Sequence, residues 1–360
     1  MSHLTLQGDN FTWPGFSLLG ESSLAITLDE TGIGNINELD FLILSGTTTV
    51  SIGSVGNTAG FNQLSQLAET TNNLSTVTIS GSEDFNLSSS TNHSNSGDGV
   101  VTDIAATATS PTKIASSLKL IDASTTTSRV EIVAGATNTS GSGPFDNGAN
   151  LNANITITYT GLKIIGGSGN NVIDNDAKNG IVHDGNGTDL ILLGGAGAKA
   201  TLGTGADDIV AVGDSNLGTH ETAGAALGDS VTFGAAATAQ LQVGTGAEAG
   251  STAGTASIGQ TKVVDAAAGM KISFQFITTS SNIVDETAAV ASATTLTAAE
   301  NAAVAAMAGP GVAFFNFGSS EYFIAMNQAE MGVSSHDAIV KLVGVHDLHA
   351  TNIVGFVTLQ

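Results

Sequence analysis

The chain of 360 residues has no cysteine and only nine lysines and arginines. Without cysteine it can have neither a disulfide framework nor a thiolate metal site. So few basic residues exclude the positive surface that nucleic-acid binding requires. The 32 aspartates and glutamates give a net charge of −23, which an anionic membrane surface would repel. No run approaches the ~18 apolar residues of a membrane-spanning helix. We therefore expect no nucleic-acid partner and no membrane span.

The chain is rich in small residues, with 45 glycines, yet 41% of its residues are hydrophobic. This composition favours a folded chain with a narrow core over a disordered one. The first residues, MSHLTLQGDNFTWPGF, contain neither a basic stretch nor an apolar stretch of the kind found in cleavable signal peptides. They start directly in strand-like sequence, so we expect the chain to be a fragment of a longer protein.

A nine-residue repeat organises residues 166–210, which divide into the windows GGSGNNVID, NDAKNGIVH, DGNGTDLIL, LGGAGAKAT and LGTGADDIV. The eighth place is apolar in every window, at Ile173, Val182, Ile191, Ala200 and Ile209. Alternate windows have glycine at the second and fourth places, at Gly167, Gly169, Gly185, Gly187, Gly203 and Gly205. This is the register of the calcium-binding parallel β-roll repeats that are called RTX repeats.

The sixth place of the same windows is Asn171, Asp189 and Asp207. Two windows complete one turn of a roll, so these three residues line one edge, where turn carbonyls and carboxylates supply oxygen ligands for Ca²⁺. The opposite edge has Gly180 and Ala198 at this place, and neither can ligate through its side chain. We expect about two Ca²⁺ ions on one edge, with Asn171 as the weakest ligand; the alternative is a β-solenoid without metal.

The segment before the repeat consists of short alternating strands between turns rich in Gly, Ser, Thr and Asn, such as Leu39-x-Phe41-x-Ile43 and Val77-x-Ile79. Such strands predict the coils of a parallel β-helix, because stacking gives each a share of one continuous core. An antiparallel sandwich is the alternative. The segment Gly60 to Thr70 predicts a short helix, with Phe61, Leu64 and Leu67 on one face.

After residue 260 the sequence becomes richer in phenylalanine, which predicts a thicker core. One helix is predicted from a capping box at Thr297–Glu300 to Ala308, followed by a β-hairpin over 312–325. Strands are predicted over 337–345 and 353–359. The sequence thus predicts an all-β chain in three segments: solenoid coils with surface loops over 1–165, the β-roll and its continuation over 166–260, and a β-rich cap with one short helix over 261–360.

Enzymatic motifs are missing from the sequence. The seven histidines include no H-E-x-x-H metal motif, and no serine stands in a G-x-S-x-G nucleophile elbow. His346 and His349 are more typical of a polar turn than of a metal pair. Asp207 and Asp208 are adjacent, and on a strand such neighbours point to opposite faces. We therefore expect no catalytic residue and no enzyme.

The nonapeptides, the segments 261–272, 314–318 and 337–345, and the Ser/Thr-rich coil at 117–124 resemble the C-terminal part of RTX-type bacterial surface-layer (S-layer) proteins. The tail is also similar to the C-terminal domain of serralysin-type proteases, which carry the same hemolysin-type calcium-binding roll. Family members usually have more nonapeptides and more often aspartate at the sixth place, so Asn171, Gly180 and Ala198 depart from the pattern.

The resemblance implies export by a type I secretion system through an uncleaved C-terminal signal, calcium-driven folding outside the cell, and self-assembly into a crystalline S-layer on a Gram-negative bacterium. The implied partners are the secretion machinery, copies of the chain itself, and lipopolysaccharide through a region that is not recognisable in this sequence. The alternative is the calcium-stiffened C-terminal module of an RTX adhesin, or of a secreted RTX enzyme whose catalytic domain is not in this chain.

Overall fold

The structure is a computed structural model. It describes residues 2–8, 11–31, 36–56, 60–87, 100–102, 112–134, 155–195, 197–205, 208–212, 229–233, 239–243, 261–274, 283–326, 332–333, 337–343, 351–353 and 356–359. The chain divides into two compact units, residues 1–189 and 190–360. The division of the sequence into three segments stays a prediction.

The first unit contains seventeen of the strands that the structure describes. They are β1 (Ser2–Gly8), β2 (Phe11–Trp13), β3 (Phe16–Leu19), β4 (Ser23–Glu30), β5 (Ile36–Ser45), β6 (Thr49–Gly56), β7 (Phe61–Glu69), β8 (Thr76–Gly81), β9 (Asp84–Leu87), β10 (Val100–Thr102), β11 (Thr112–Ala115), β12 (Leu120–Thr126), β13 (Val130–Ala134), β14 (Ile155–Thr158), β15 (Lys163–Ile165), β16 (Val172–Asn175) and β17 (Ile181–His183).

The strands of the first unit alternate along the chain between two sheets. One sheet has the order β1-β4-β6-β8-β12-β15-β17; the other contains β2, β5, β7, β10, β13 and β16, with β3 beside β5 and β9 beside β7 and β13. Strands β11 and β14 form a separate pair. Every ladder between these described strands is parallel, as in β4 with β6 and β5 with β7. The predicted parallel β-helix is confirmed, and the sandwich alternative is wrong for this unit.

The length of one coil changes along the first unit. Ladder partners in the early coils are 22 to 27 residues apart, whereas Asn171 and Asp189 hold equivalent places only 18 residues apart. Strand β4 alternates between half-buried and buried residues, so Leu24, Ile26 and Leu28 point inward. A coil of 18 residues leaves only short strands such as β17 between the turns, as the nonapeptide repeat predicts.

Strand β5 departs from the predicted alternation. Leu39 points inward, but so do Leu42 and Leu44, whereas Phe41 and Ile43 point outward. Two consecutive outward residues shift the pattern by one, and a shift of one residue exchanges the two faces of a strand. The ring of Phe41 then lies against Gly15, where an added Cβ would stand 2.6 Å from ring carbons.

The helix predicted over residues 60–70 is wrong, because this segment forms strand β7. From Leu64 to Glu69 every residue is buried, so both faces of the strand are covered. The spacing of Phe61, Leu64 and Leu67 fits a helical stripe, but pairing along β5 decides the structure. A short segment that is buried on both faces shows no period of two.

The second unit contains thirteen described strands and two described helices. They are β18 (Leu190–Leu193), β19 (Lys199–Thr201), β20 (Ile209–Val212), β21 (Ser230–Thr232), β22 (Gln240–Val243), β23 (Thr261–Val264), β24 (Lys271–Phe274), β25 (Ile283–Asp285), α1 (Thr287–Val290), α2 (Leu296–Ala306), β26 (Gly311–Phe317), β27 (Ser320–Met326), β28 (Ala338–Val343), β29 (Thr351–Ile353) and β30 (Phe356–Thr358).

Within the second unit the parallel coils give way to antiparallel pairing. Strands β18, β20, β22 and β24 pair in parallel, as do β19, β21, β23 and β28. Strand β30 then runs antiparallel to β24, and β26, β27 and β28 form an antiparallel meander that includes the predicted hairpin. The predicted β-rich C-terminal part with a short helix is confirmed.

The helix α2 starts two residues earlier than the sequence predicts. Thr295, not Thr297, is the N-cap, and its Oγ1 accepts a hydrogen bond of 3.2 Å from the backbone N–H of Ala298. The helix buries Ala303 and Val304 against the meander, in a cluster that also contains Phe315, Ile324 and Met326. None of the helices that the structure describes is long and apolar enough to cross a membrane.

Candidate metal centre

Two glycine-rich turns of the first unit stack on each other. The turn 166–171 connects β15 to β16, and the turn 184–189 follows β17. The backbone N–H of Asn186 donates to the carbonyl of Gly167 at 3.4 Å, and that of Thr188 donates to Oδ1 of Asn170 at 3.0 Å. In each bond the accepting residue lies 18 or 19 positions before the donating residue in the sequence. The turns therefore repeat at about the spacing that the nonapeptides predict.

Glycine is required where the second turn approaches the first. Gly185 has a φ of +95°, and a Cβ there would stand 2.0 Å from the carbonyl oxygen of Gly167. Gly187 has a φ of +144°, and its Cβ would stand 2.5 Å from the carbonyl oxygen of Gly169. Contacts this short leave no room for a side chain, so these predicted glycine positions have a steric cause.

Asn171 is the centre of the polar contacts between the two turns, and it is 1% exposed. Its Nδ2 lies 3.2 Å from the carbonyl oxygen of Gly167, 2.8 Å from that of Gly169, 2.9 Å from that of Asp184 and 2.9 Å from Oδ1 of Asp189. Its backbone N–H also donates to Oδ1 of Asp189. Four oxygens therefore converge on one amide nitrogen.

Buried aspartates that could serve as metal ligands are Asp184 and Asp189 in the first unit and, in the second unit, Asp208. In the first unit Asp184 and Asp189 are 0% and 2% exposed, and a carboxylate oxygen of each lies within 4.8 Å of one from the other. Carboxylate and carbonyl oxygens without sulfur or imidazole suit a hard cation such as Ca²⁺ better than a transition metal. Asp184 and Asp189 therefore offer the oxygen ligands that a hard cation would need.

The predicted site residues of the second unit belong to the turn before β20. Gly203 and Gly205 are described there, whereas Asp207 lies outside the described residues. The ladder of the second unit pairs Leu190 with Ile209, which is 19 residues later rather than 18. Asp208 consequently stands in its turn where Asp189 stands in the preceding one, and it is 0% exposed.

The same extra residue moves the buried apolar position of the last nonapeptide by one place. Val210 is buried at the place predicted for Ile209, and Ile209 is only half-buried. Insertion of one residue in the turn turns each following side chain to the other face of the strand. The other four predicted apolar residues, Ile173, Val182, Ile191 and Ala200, are all buried as expected.

Sequence reasoning did not include Asp184 and Asp208 among the metal ligands. The signal for Asp184 is the segment DGNGTD at 184–189, which has a carboxylate at each end of the glycine turn. The signal for Asp208 is the pair Asp207-Asp208, which offers a carboxylate in either register. An 18-residue period alone could not choose between the two.

On the opposite edge of the first unit, the side chain of Asn175 bonds to the turn that connects β16 to β17. Oδ1 of Asn175 accepts the backbone N–H of Ala177 at 3.1 Å, and its Nδ2 donates to the carbonyl of Leu162 at 3.2 Å. Gly180 lies against this side chain, with its would-be Cβ 2.9 Å from Asn175 Nδ2. Hydrogen bonds of the Asn175 side-chain amide thus hold this turn.

Two ionisable groups near the turns have shifted pKa values. Burial raises the pKa of Asp174 well above its usual range, and the neighbouring carboxyl of Asp176 raises it further. Burial and the positive charge of Lys163 lower the pKa of His183. His183 is therefore neutral at physiological pH and adds no charge beside the carboxylates of Asp184 and Asp189.

The remaining candidate ligands considered from the sequence, His346 and His349, lie outside the described residues. No family model and no curated protein matches this chain.

Proposed function

We propose that this chain is a structural, non-catalytic protein of a calcium-dependent crystalline cell-surface layer, exported by type I secretion. The observation that carries the proposal is the pair of buried carboxylates, Asp184 and Asp189, at the two ends of the glycine turn 184–189 of a parallel β-solenoid. Such turns are favourable for a hard cation, since the atoms that converge there are carboxylate and carbonyl oxygens. The assignment to a surface layer rests on the resemblance of the sequence.

Calcium would supply positive charge to turns that otherwise bring buried carboxylates together. Burial of a carboxylate without a compensating positive charge costs several kcal/mol. A site filled at about 100 times its dissociation constant adds roughly 2.7 kcal/mol to the free energy of unfolding. Typical extracellular calcium sites have dissociation constants of about 10⁻⁴ to 10⁻³ M, far above cytosolic free Ca²⁺. The chain would therefore pass an exporter less completely folded than it is outside the cell.

The net charge supports a role for divalent cations in assembly. Copies with a charge of −23 repel one another at neutral pH. Divalent ions can bridge carboxylates of adjacent copies, whereas monovalent salt only screens them. We expect Ca²⁺ to convert soluble chains into planar sheets and excess chelator to return them to monomers.

Electron microscopy of the purified chain, with and without Ca²⁺, tests the proposal. Planar crystalline sheets with Ca²⁺, and none with the same ionic strength of NaCl, are the expected result. A chain that binds Ca²⁺ but stays monomeric would contradict the lattice and would indicate a calcium-stiffened module of an adhesin or secreted enzyme. Sheets that persist in excess chelator would contradict the role of calcium.

Calcium titration of single variants identifies the ligands. Asp189→Asn and Asp208→Asn should each lower the number of bound ions, because both carboxylates are buried in glycine turns. Asp207→Asn and Asp122→Asn are the matched controls; the carboxylate of Asp122 caps an exposed turn through Ser124. Loss of calcium in Asp207→Asn but not in Asp208→Asn would show that the 18-residue period, not the observed ladder, sets the ligand.

A further inference from the structure

The oxygen atoms around the side chain of Asn171 outnumber the hydrogens that it can donate. Its Nδ2 has four oxygen neighbours at 2.8–3.2 Å, from Gly167, Gly169, Asp184 and Asp189. A side-chain amide has only two N–H groups, so it can satisfy two of these four oxygens at a time. Several oxygens that surround one positively polarised atom form the kind of environment that also surrounds a bound cation.

The contacts also fix which end of the amide points into this ring of oxygens. Oδ1 of Asn171 accepts the backbone N–H of Gly167 at 3.2 Å. Exchange of the two ends would place the amide oxygen against four oxygens and the NH₂ group against an N–H donor. The orientation therefore follows from the hydrogen-bond network.

The size of the ring distinguishes an amide from a metal ion. Ca²⁺ binds oxygen at about 2.3–2.6 Å, and N–H···O bonds have heavy-atom distances of about 2.7–3.2 Å. The distances around Nδ2, 2.8–3.2 Å, fall in the second range. The turns are spaced for an amide, and a cation at this position would have to displace it.

We propose that the side-chain amide of Asn171 takes the place of a cation between the turns 166–171 and 184–189, so that these two turns stay stacked without metal. Asn171 is then not a calcium ligand, and the chain binds one ion fewer than the three repeats of the glycine pattern predict. The count of ions rests on the proposed function; the metal-independence of this pair of turns does not.

Hydrogen exchange on the unmodified full chain tests the metal-independence directly. The backbone N–H groups of Gly167, Asn171 and Thr188 all donate to groups within this pair of turns. Their exchange should be equally slow, within about twofold, in excess chelator and in millimolar Ca²⁺. Exchange that slows by tenfold or more when Ca²⁺ is added would overturn the proposal.

The variant Asn171→Asp tests the substitution of amide for cation. A carboxylate at this position faces three carbonyl oxygens and the carboxylate of Asp189, so it needs a cation. We expect this variant to bind one more Ca²⁺ per chain than the unmodified protein in isothermal titration calorimetry, and its melting temperature to become more dependent on Ca²⁺. A variant that stays unfolded in both chelator and Ca²⁺ would count against the proposal.

Asn175→Asp is the matched control, because Asn175 is also fully buried and lies four residues later, but its Nδ2 donates to the carbonyl of Leu162 rather than facing a ring of oxygens. It should gain no ion. An equal gain in both variants, or no gain in Asn171→Asp, would overturn the proposal. If the unmodified chain binds no Ca²⁺ at all, the proposed function fails, whereas the gain in Asn171→Asp and the exchange result still decide this inference.

Discussion

Asn37 donates a hydrogen bond from its side-chain Nδ2 to Oδ1 of Asn62, 3.1 Å away, and both residues are 0% exposed. They are ladder partners in successive coils of the first unit. Nδ2 of Asn62 in turn donates to Oγ of Ser54 at 2.9 Å and to the carbonyl of Val55 at 3.0 Å. Trp13 donates from its indole to Oδ1 of Asn37 at 3.2 Å. A chain of buried amides therefore links the first coils of the solenoid.

Replacement of Asn62 tests how much these buried, hydrogen-bonded amides contribute to the stability of the solenoid. Asn62→Ala removes one acceptor from the Asn37 amide, which keeps its bond to the carbonyl of Leu6 at 3.3 Å, and it removes one donor from the Val55 carbonyl. We expect a loss of about 1–3 kcal/mol in the free energy of unfolding. Trp13 is the only tryptophan in the chain, so its fluorescence in urea reports this region. Asn73→Ala, at an exposed side chain, is the control and should change stability by less than ~0.5 kcal/mol. Equal effects of the two substitutions would contradict the role of the buried chain.

Gly185→Ala should be among the most damaging single substitutions in the first unit. The added Cβ would stand 2.0 Å from the carbonyl oxygen of Gly167, and the residue has a φ of +95°. We expect a loss of ~3 kcal/mol or more, measured by urea unfolding in excess chelator. Gly161→Ala shares the positive φ, at +66°, but its Cβ would meet nothing within 4 Å, so it should cost only about 1–2 kcal/mol. If both variants lose the same amount, backbone conformation rather than the close approach of the turns is responsible.

Glu69 closes a turn of the solenoid through a fully buried carboxylate. One oxygen accepts the backbone N–H of Gly46 at 2.7 Å and the hydroxyl of Thr71 at 2.6 Å. The other accepts the backbone N–H of Thr71 at 3.1 Å and that of Asn73 at 2.7 Å. Because each oxygen accepts at least one backbone N–H, the NH₂ group of Glu69→Gln would face a backbone donor in either orientation.

We therefore expect Glu69→Gln to lose about 2–4 kcal/mol, although it only replaces an oxygen by an NH₂ group. Thr71→Ala, which removes one of the four donors and keeps the charge, should lose only about 1 kcal/mol. Both values can be measured by urea unfolding at neutral pH. A glutamine variant as stable as the unmodified chain would show that the four bonds to Glu69 do not decide the turn.

The parts of the fold that follow from local periodicity could be predicted from the sequence. Val77 and Ile79 alternate on one face and are buried, and the glycines at 185 and 187 stand where close approach requires them. The segment 61–69 could not be assigned correctly, because a strand covered on both faces carries no alternating signal. Its partner β5, more than twenty residues earlier, provides the pairing that makes it a strand.

The candidate metal centre shows the same limit. A strict repeat predicts Asn171 and Asp189 on one edge, and the stacking of their turns in the first unit agrees. One extra residue before β20 breaks the period, and only the ladder between Leu190 and Ile209 shows it. The role of the Asn171 amide depends on carbonyl oxygens that converge from two turns, and a list of residue types contains no information on backbone oxygens.

Asp174 should make the stability of the chain depend on pH. Its pKa in the folded state is raised by burial and by the carboxyl of Asp176, so the folded chain holds a proton at a pH where the unfolded chain has lost it. The free energy of unfolding consequently falls as the pH rises from the ordinary carboxyl range through the raised pKa. Below that range both states hold the proton, and this contribution to stability is fully present.

Replacement of this acid by its amide removes the dependence, so the variant Asp174→Asn should be more stable than the unmodified chain at pH ~8, by on the order of 1–3 kcal/mol. At pH ~4 the two should agree within ~0.5 kcal/mol, because the carboxyl of the unmodified folded chain is then protonated and resembles the amide. Urea unfolding at both pH values measures the difference, and Asp122→Asn serves as the control, since its carboxylate caps an exposed turn. A gain of Asp174→Asn that is the same at both pH values would show that packing rather than the buried charge is responsible.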